Sequence, residues 1–589
     1  MKTGPHREDE WGLTLKRPTV RVIVPGRRHK LEGTAEVVLE DGTRLTASHR
    51  LPPDLPLGYH QIRWRGVEAP TLLMVAPRQC YLPPGLEGWG VALQLYALRS
   101  RRSWGMGDLA DLREFARSPA RKLGAGLIQV NPLCASTPTC PQQDSPYCPG
   151  SRRYWNPLYL RIEEVTGASK LGGKLRRLSR AGWALNQAAL IDRDAIFSLK
   201  MEALRIIWAG FTTDAAFERF LVQEGESLRE FATFCALAQH FRKGWRRWPA
   251  PYQRADMPAV RRFQEDRAQE VRFHQWLQWL LEQQLARAAA VMPLMQDLPI
   301  GVDPDGADAW VWQDLLVLDV SIGAPPDRYN SQGQDWGLPP FVPEQLRVAA
   351  YEPLRQTVRA LMRHAQGLRI DHVMGLFRLF WIPKGSDPSQ GHYVRYPTDE
   401  LLAVLAIESH RARAWIVGED LGTVERGVRP KLRRWNIMTH HLLWFDRRSP
   451  KHYRRNALAA VTTHDLFTVA GLWTSSDFEA QQRCLLKPDR AAFQRIRRRV
   501  RAWTGLAEDA LSSDAILQTY RLLAGAPSRL QMLTLDDALA ATARPNMPGT
   551  TRAWPNWRLP LPKSLEAIRR TPLLRRLAYV FNQARKRPA

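Results

Sequence analysis

The fold is best inferred from GLRIDHVMGL (residues 367–376), which places charged residues inside an otherwise apolar run. Its leucine, isoleucine, valine and methionine residues are typical of a buried strand. Burying a carboxylate and a guanidinium costs free energy unless the two are paired and hydrogen-bonded. Arg369 and Asp371 stand two residues apart, so both side chains point to the same face of a strand. The stretch therefore predicts a strand that ends in a charged site.

Two further strand-like runs also end on acids. WIVGED ends on Glu419 and Asp420, and VTTHD ends on His464 and Asp465. One such acid alone could equally be a helix cap or a loop residue, which is how we interpret Asp420. The separations of 48 and 46 residues from Asp371 to Glu419 and from Glu419 to Asp465 suit one and two β/α units. We therefore expect Asp371, Glu419 and Asp465 to converge.

The fold class follows from a count of near-continuous apolar runs separated by helical segments. Such runs are typical of a parallel sheet covered on both faces. Eight of them can be identified, as a (β/α)8 TIM barrel requires, with functional residues at the carboxyl ends of its strands. The runs are GVALQLYAL, AGLIQVNPL, DLPIGVD, GLRIDHVMG, RAWIVGEDLG, IMTHHLLWF, LAAVTTHDL and RLQMLTLDDAL.

Two regions depart from this alternation. Residues 1–82 contain short alternating runs divided by glycine, proline and Asp-Gly turn signals, which predict an N-terminal antiparallel β-sandwich domain. Residues 83–589 form the predicted catalytic barrel, with a helical insertion at about 165–290. Within the insertion, one long helix carries apolar residues at i, i+3, i+4 spacing that predict a core-facing stripe: Phe273, Trp276, Leu277, Leu280 and Leu281.

Composition limits the class of protein. The formal net charge of +27 raises nucleic-acid binding as an alternative, although an arginine-rich soluble surface is the simpler interpretation. No helix-turn-helix, zinc-finger or aromatic-basic RNA motif occurs. Six scattered cysteines without a CxxC pair, an N-terminus without an apolar signal core and the lack of a long apolar run favour a cytoplasmic protein with no membrane span.

Three converging carboxyl groups indicate chemistry at a glycosidic bond. A retaining glycosidase needs an ionised carboxylate as nucleophile and a protonated carboxyl as acid, about 5 Å apart. Arg369 favours the ionised form of its neighbour, so we expect Asp371 to be the nucleophile. Glu419 has no adjacent cation and can serve as the acid. Asp465 is expected to hold hydroxyl groups of the sugar and to distort its ring.

With these acids in place, the chain resembles the amylomaltases, 4-α-glucanotransferases of glycoside hydrolase family 77 in the α-amylase clan. The resemblance extends from about residue 90 to about 560. The motifs that carry it include LQLYALRSRRSWGMGDLADL, DSPYCPGSRRYWNPLYL, GAPPDRYNSQGQDWGLPPF, RIDHVMGL, VGEDLG, TTHD and NMPGTTRAWPNWR. It implies retaining transfer of an α-1,4-glucan segment to the 4-hydroxyl of glucose or another glucan, through a covalent glucosyl-enzyme.

The resemblance also implies site residues and partners. Asp371 would be the nucleophile, Glu419 the acid/base and Asp465 the stabiliser of the transition state. No cofactor and no metal is implied, and the expected partners are malto-oligosaccharides and α-1,4-glucans. The implied substrate-binding residues are Arg369 and His464 beside the attacked glucose, Ser145 and Tyr147 packed against it, Asp327, Gln334 and Trp336 in a lid-like loop on the acceptor side, and Asp305 and Asn546 near the cleft.

Two rival functions remain open at this point. The first is an α-glucan hydrolase of the same clan, against which the GAPPD…GQDWG stretch argues. The second, more remote, is a basic nucleic-acid-binding protein. His372 is equally compatible with substrate contact and with structural support. Donor length, the smallest acceptor, cyclic-glucan formation and oligomeric state have no signature in the sequence.

Overall fold

A computed structural model describes residues 20–67, 69–326 and 332–586. Nineteen strands occur within these ranges. They are β1 Val20–Ile23, β2 His29–Val38, β3 Arg44–Leu51, β4 Gly58–Trp64, β5 Thr71–Val75, β6 Gly88–Leu93, β7 Leu127–Val130, β8 Cys134–Ala135, β9 Ser151–Trp155, β10 Leu294–Leu298, β11 Val320–Ala324, β12 Gln334–Leu338, β13 Gly367–Ile370, β14 Arg378–Pro383, β15 His392–Arg395, β16 Trp415–Gly418, β17 Met438–Leu442, β18 Ala457–Ala460 and β19 Leu530–Thr534.

The described α-helices connect and cover these strands. They are α1 Leu109–Phe115, α2 Gly173–Ala184, α3 Arg193–Ala209, α4 Ala215–Phe241, α5 Pro258–Asp266, α6 Ala268–Ala289, α7 Ala307–Val311, α8 Pro343–Val348, α9 Glu352–Met362, α10 Thr398–Ala412, α11 Val428–Arg434, α12 Val469–Trp473, α13 Ser476–Arg483, α14 Arg490–Thr504, α15 Ser512–Ala524, α16 Leu535–Ala538, α17 Leu565–Ile568 and α18 Pro572–Lys586.

Eight parallel strands close into a barrel in the order β10-β13-β16-β17-β18-β19-β6-β7. Each of the eight apolar runs identified in the sequence contributes one of them, so the predicted (β/α)8 fold is confirmed. Parallel pairing is continuous around the ring. The carboxyl ends of all eight strands therefore meet at one mouth.

The barrel interior is an apolar layer made by alternate strand residues. Met295, Val417, Met438, Leu458 and Leu530 belong to one buried cluster there. Because side chains alternate along a strand, a residue two positions after an inward apolar residue also points inward, one layer nearer the mouth. The layer thus supports polar side chains that follow at the carboxyl ends of the same strands.

The N-terminal β domain is confirmed, with a difference in its pairing. The described strands form one five-stranded sheet in the order β1-β5-β4-β2-β3 instead of two stacked sheets. Its pairs are antiparallel except β1 with β5, which run parallel. A β-bulge between Lys30 and Thr34 lets the ten-residue β2 bend. One curved sheet can thereby enclose the separate core around Leu31, Val37 and Ile62.

A charged cluster joins this sheet to the outside of the barrel. Arg355 lies 3.8 Å from the centroid of the Tyr59 ring, and Arg411 lies 5.4 Å from it. Glu40 accepts hydrogen bonds from Arg411 and from the backbone N–H of Tyr59. Glu408 of α10, which is buried, pairs with Arg411 on its own helix. The sheet is thus attached to α9 and α10.

The helical region before β10 comprises α2 to α6. All five residues of the predicted stripe on α6 are buried. The helix packs against α1 on one side and α4 on the other, which explains why its apolar surface exceeds one narrow face. Gly225, with φ +60°, interrupts α4 in a conformation that glycine adopts without strain.

Two small sheets flank the mouth. Strands β8 and β9 pair near the segment that carries Ser145 and Tyr147. Strands β12, β11, β14 and β15 form a four-stranded antiparallel sheet. Its strand β12 contains Gln334 and Trp336, at the end of the GAPPD…GQDWG stretch, for which the resemblance implies a lid-like loop.

Candidate active site

Asp371 and Glu419 occupy equivalent positions at the ends of neighbouring strands. Ile370 of β13 pairs with Gly418 of β16, and each acid is the next residue along its strand. The backbone N–H of Asp371 donates to Leu298 O at 3.0 Å, and that of Glu419 donates to Ile370 O at 3.0 Å. Neighbouring strands lie about 4.8 Å apart. The register therefore places the two acids side by side, although 48 residues separate them.

Arg369 connects Asp371 to a carboxylate that the sequence analysis missed. Its Nη1 donates to both carboxylate oxygens of Asp297, at 2.6 and 2.8 Å, and its Nη2 donates to Asp371 Oδ1 at 3.0 Å. Asp297 lies on β10 and is buried. One terminal nitrogen of the guanidinium therefore contacts both oxygens of Asp297, and the other terminal nitrogen binds Asp371. A lone acid within the apolar run PLMQDLPI was the sequence signal for this partner.

The environment of Asp371 differs from the simple pairing expected. Burial is the largest influence and raises the pKa of Asp371 to about 6, while Arg369 lowers it and Asp297 raises it. The expected effect of the guanidinium is present, but burial and the Asp297 charge outweigh it. The side chain remains 22% exposed, toward the mouth. Asp371 is thus ionised near neutral pH and open to a ligand.

Glu419 is fixed by two backbone groups. Its Oε2 accepts from the N–H of His372 at 2.9 Å and its Oε1 from the N–H of Leu421 at 2.8 Å. Burial raises the pKa of Glu419 to about 7, against the Arg369 charge and with the help of the Asp371 charge. Burial therefore raises the pKa values of both carboxyl groups above their usual range, and of the two only Asp371 is hydrogen-bonded to Arg369.

His372 supports Glu419 through its backbone. It adopts φ +44° and ψ +63°, a left-handed conformation that is uncommon for residues other than glycine. This turn directs its N–H to the Glu419 carboxylate. Burial lowers the pKa of the imidazole to about 4, so the ring is neutral at physiological pH. Its edge contacts Trp336, with ring centroids 5.4 Å apart.

Asp465, His464 and Asn546 form a second polar group at the mouth. His464 Nε2 lies 3.3 Å from Asp465 Oδ2, and Asn546 Nδ2 donates to Asp465 Oδ1 at 2.7 Å. Burial favours the neutral form of both ionisable groups. Their attraction more than offsets it, lowering the pKa of Asp465 and raising that of His464. Asp465 is therefore a carboxylate at neutral pH, and its side chain is 43% exposed.

Tyr147 links His464 to the ion pair of Arg369 and Asp297. Its hydroxyl donates to Asp297 Oδ2 at 2.7 Å and lies 3.3 Å from His464 Nδ1. Its ring stacks on His464 at 4.6 Å and packs on Trp557 at 5.3 Å. Ser145 Oγ accepts the backbone N–H of Tyr147 at 3.2 Å and so shapes the turn that presents the phenol. Trp557 lies within the NMPGTTRAWPNWR motif but was not among the residues expected at the site.

The remaining expected residues are distributed unevenly. Trp336 Nε1 donates to Gln334 Oε1 at 3.1 Å. The Trp336 ring contacts the ring of His372, whose backbone N–H binds Glu419. Asp305 instead pairs with Arg246 at 3.0 Å, beside the helical insertion, and no described contact joins it to the three acids. Asp327 lies outside the described residues. The structure therefore gathers most of the expected set around the acids, and a role for Asp305 near the cleft stays a prediction.

Asp420 has a structural task. It is buried, accepts from Arg429 Nε at 2.6 Å and accepts the backbone N–H of His440 at 2.8 Å. It thus ties the end of β16 to β17, beside Glu419.

Among the residues that the structure describes, no three His, Cys, Asp or Glu side chains are placed to hold a metal ion. No helix within the described ranges is both long and apolar enough to cross a membrane.

Comparisons with known proteins agree on one family. The model of glycoside hydrolase family 77, described as 4-alpha-glucanotransferase, matches residues 93–565. A 4-alpha-glucanotransferase of Mycobacterium bovis is 41% identical over 562 residues, covering 87% of this chain and 77% of the relative. One of Haemophilus influenzae is 32% identical, covering 95% and 88%. The crystal structure of amylomaltase from Corynebacterium glutamicum superposes with a TM-score of 0.85 at 31% identity, covering 96% and 90%.

Proposed function

The chain belongs to the 4-alpha-glucanotransferase family, glycoside hydrolase family 77, and we propose that Asp371, Glu419 and Asp465 carry out its transfer of α-1,4-glucan segments. The observation that carries this proposal is the strand register, which puts Asp371 beside Glu419. Arg369 donates a hydrogen bond to Asp371. Retaining enzymes need two carboxyl groups about 5 Å apart. The spacing of neighbouring strands suits that distance.

The first half-reaction forms a covalent intermediate. Asp371 attacks the anomeric carbon of the donor, and the bond from that carbon to the glycosidic oxygen breaks. Glu419 gives its proton to that oxygen, which leaves as the 4-hydroxyl of the released segment. Asp371 is then esterified to the glucosyl residue and Glu419 is a carboxylate. The two backbone N–H groups on Glu419 hold the carboxyl in place and stabilise this charge.

The second half-reaction reverses these events with a new acceptor. Glu419 takes the proton from the 4-hydroxyl of glucose or of another glucan. The acceptor oxygen attacks the anomeric carbon, and the ester to Asp371 breaks to regenerate the carboxylate. Two inversions give net retention of configuration. Proton and charge balance is restored without any further reactant.

Asp465 acts while positive charge develops on the sugar ring. Its pKa is lowered by His464 and Asn546 against burial, so it remains ionised through both steps. A carboxylate at this position favours an oxocarbenium-like ring over the ground state. His464 and Tyr147 form a stacked wall beside it and face the same ring.

The side of the mouth that holds Glu419 determines the preference for transfer over hydrolysis. Trp336 contacts His372 there, and the indole gives an incoming sugar an apolar face. A sugar stacked on this face displaces water from the vicinity of the ester.

We further propose malto-oligosaccharides as partners, a cytoplasmic location, and a division at about residue 82 between the N-terminal β domain and the catalytic barrel.

The test uses maltotriose and three variants. Asp371→Ala, Glu419→Ala and Asp465→Ala should each fold, as judged by circular dichroism, and each lose disproportionation by about 1,000-fold or more. Asp256→Ala, which changes an exposed aspartate, is the matched control and should retain full activity. The wild-type products should be glucose plus a ladder of longer chains.

Two results would contradict the assignment. A folded Asp371→Ala or Glu419→Ala enzyme with more than a tenth of wild-type activity excludes that residue from its proposed step. Products restricted to chains shorter than maltotriose would indicate the hydrolase alternative.

A further inference from the structure

A small cavity of about 40 Å³ lies inside the barrel, next to the proposed catalytic residues. Its walls include inward residues of β6, β18 and β19, namely Ala92, Ala460 and Met532. Arg369 and His464 line it as well, and these two side chains contact Asp371 and Asp465, respectively. The proposed mechanism uses none of the other polar groups that surround this cavity.

Several of those polar groups are buried without a protein partner. His440 is 7% exposed, and neither of its ring nitrogens has a hydrogen-bond partner among the described residues. Gln94 Oε1 is also buried and unpartnered within those ranges. Both side chains line the cavity. Because an unsatisfied buried polar group costs about 1–3 kcal/mol, such a cluster is typical of a site that receives polar groups of a ligand.

Asp536 is the charged member of this cluster. It follows β19 by two residues, just as Gln94 follows Ala92 of β6 by two, and Thr534 is paired with Ala92 in the barrel. Asp537, the next residue, is fully engaged by the N–H of Val469 and the hydroxyls of Tyr520 and Thr534. In the described part of the chain, no other residue donates a hydrogen bond to the Asp536 carboxyl.

An acid in the first turn of a helix is common, but that alone does not explain Asp536. Helix α16 has only four residues, and Thr534 stands at its N-cap. Burial, followed by the Asp537 charge, raises the pKa of Asp536 to about 7. Helix formation would be served equally well by a solvent-facing side chain. The carboxyl instead lines the cavity with Gln94 and His464.

The barrel order indicates on which side of the mouth the cavity lies. Glu419 follows β16, and the barrel order places β19 and β6 three and four strands further around the mouth. Glu419 protonates the leaving oxygen, so the released segment and the acceptor lie on its side. The glucosyl ring that stays on Asp371 is the part of the substrate nearest the opposite side of the mouth.

We propose that Asp536 and Gln94 form a specificity-determining pair that hydrogen-bonds hydroxyl groups of the donor glucosyl ring. A carboxyl group and a primary amide together offer acceptors and donors, the combination that binds neighbouring hydroxyls of a sugar. The inference rests on the proposed roles of Asp371 and Glu419, because those roles define the donor side.

The test separates donor from acceptor kinetics. Maltotriose is the varied donor with radiolabelled glucose as acceptor, and glucose is then varied at saturating donor. Asp536→Ala and Gln94→Ala should each lower kcat/KM for maltotriose by about 10- to 100-fold, the usual effect of losing a hydrogen bond to a charged or buried group. The KM for glucose should change less than two-fold. Asp514→Ala, which alters a partly exposed aspartate on α15, is the control.

Two further variants strengthen the test. Asp536→Asn keeps an acceptor and adds donors, so it should lose less than the alanine variant. If both residues bind the same ring, the loss in Asp536→Ala/Gln94→Ala should be smaller than the product of the single losses. A structural contribution would instead lower the melting temperature and shift donor and acceptor parameters together.

Specific outcomes would overturn the inference. The first is a kcat/KM for maltotriose that stays within two-fold of wild type in folded Asp536→Ala or Gln94→Ala. The second is a rise in the KM for glucose as large as the loss of kcat/KM for maltotriose. If Asp536→Ala does not fold, Gln94→Ala decides the matter by the same criteria. An active Asp371→Ala enzyme would refute the proposed mechanism instead. If the Asp371→Ala enzyme is inactive and Asp536→Ala has the wild-type kcat/KM for maltotriose, only this inference is refuted.

Discussion

Asp297 is the residue that most changes the interpretation of the charges in the RIDH motif. Sequence spacing paired Arg369 with Asp371 because they stand two apart on one strand. The structure gives Arg369 two bonds to Asp297 and one to Asp371. Asp297 lies 72 residues earlier on the neighbouring strand β10. Its negative charge raises the pKa of Asp371, so three side chains together determine the nucleophile.

Activity should therefore depend on pH with two limbs. Asp371 must be ionised, so the rate falls as pH decreases through about 6. Glu419 must be protonated in the first step, so the rate falls as pH increases through about 7. Because the two groups interact, the limbs of kcat/KM report apparent values for the pair. Initial rates with maltotriose between pH 4 and 9 provide the measurement.

Asp297→Asn tests the origin of the acidic limb. Removing the charge takes away an influence that raises the pKa of Asp371, so the limb should move to lower pH. The maximal rate should fall about 10- to 100-fold, because Arg369 and Tyr147 lose the carboxylate that orients them. Asp314→Asn, at an exposed aspartate paired with Arg254, should leave both limbs in place. An acidic limb unchanged in Asp297→Asn would refute this account.

Among elements, the segment carrying Tyr147 is positioned by a close backbone crossing. The N–H of Asp303 donates to Pro149 O at 2.8 Å, and that of Asp308 donates to Gly150 O at 3.0 Å. A Cβ at Gly306 would stand 2.5 Å from Gly150 Cα and Gly150 O. The backbone of Gly306 has φ −88°, so space alone requires glycine there. This crossing holds the Tyr147 turn against the chain that leaves β10.

Gly306→Ala should therefore impair catalysis more than folding. The added methyl group must push the two segments apart and displace Tyr147 from Asp297 and His464. A displacement of about 1 Å can cost about 100-fold in rate, and we expect a loss of kcat/KM of about 10-fold or more. Gly126→Ala is the matched control, because its Cβ would have no neighbour closer than 3.8 Å. Equal activities in the two variants would contradict the proposed constraint.

For the whole molecule, the net charge of +27 has no evident part in substrate capture. Malto-oligosaccharides are uncharged, so electrostatic steering cannot accelerate their encounter with the enzyme. The value of kcat/KM for maltotriose should change less than two-fold between 50 and 500 mM NaCl, measured at constant pH. A steep fall with salt would show that surface charge contributes to the site, because screening acts on such interactions.

How much could be inferred in advance differs between parts of the molecule. The eight barrel strands were recognisable because a strand buried on both faces must be apolar throughout, and an acid at its end stands out. The N-terminal strands were recognisable by alternation, but their parallel pair was not, because pairing direction depends on which strands become neighbours. Trp557 and Gln94 lie within motifs that carry the family resemblance, but nothing local distinguishes them from their neighbours there. Their importance arises only from what lies beside them in the folded chain.

The amino-acid sequence by itself determined the barrel, the three acids at its strand ends and the family, because periodicity and motif residues are local properties. Only the tertiary structure decided that Arg369 binds Asp297 more fully than Asp371, that Asp305 pairs with Arg246, and that Asp536 faces a cavity while Asp537 does not. These outcomes depend on which strands lie side by side and on how deeply each carboxyl is buried. Both follow from closure of the barrel, which brings together residues far apart along the chain.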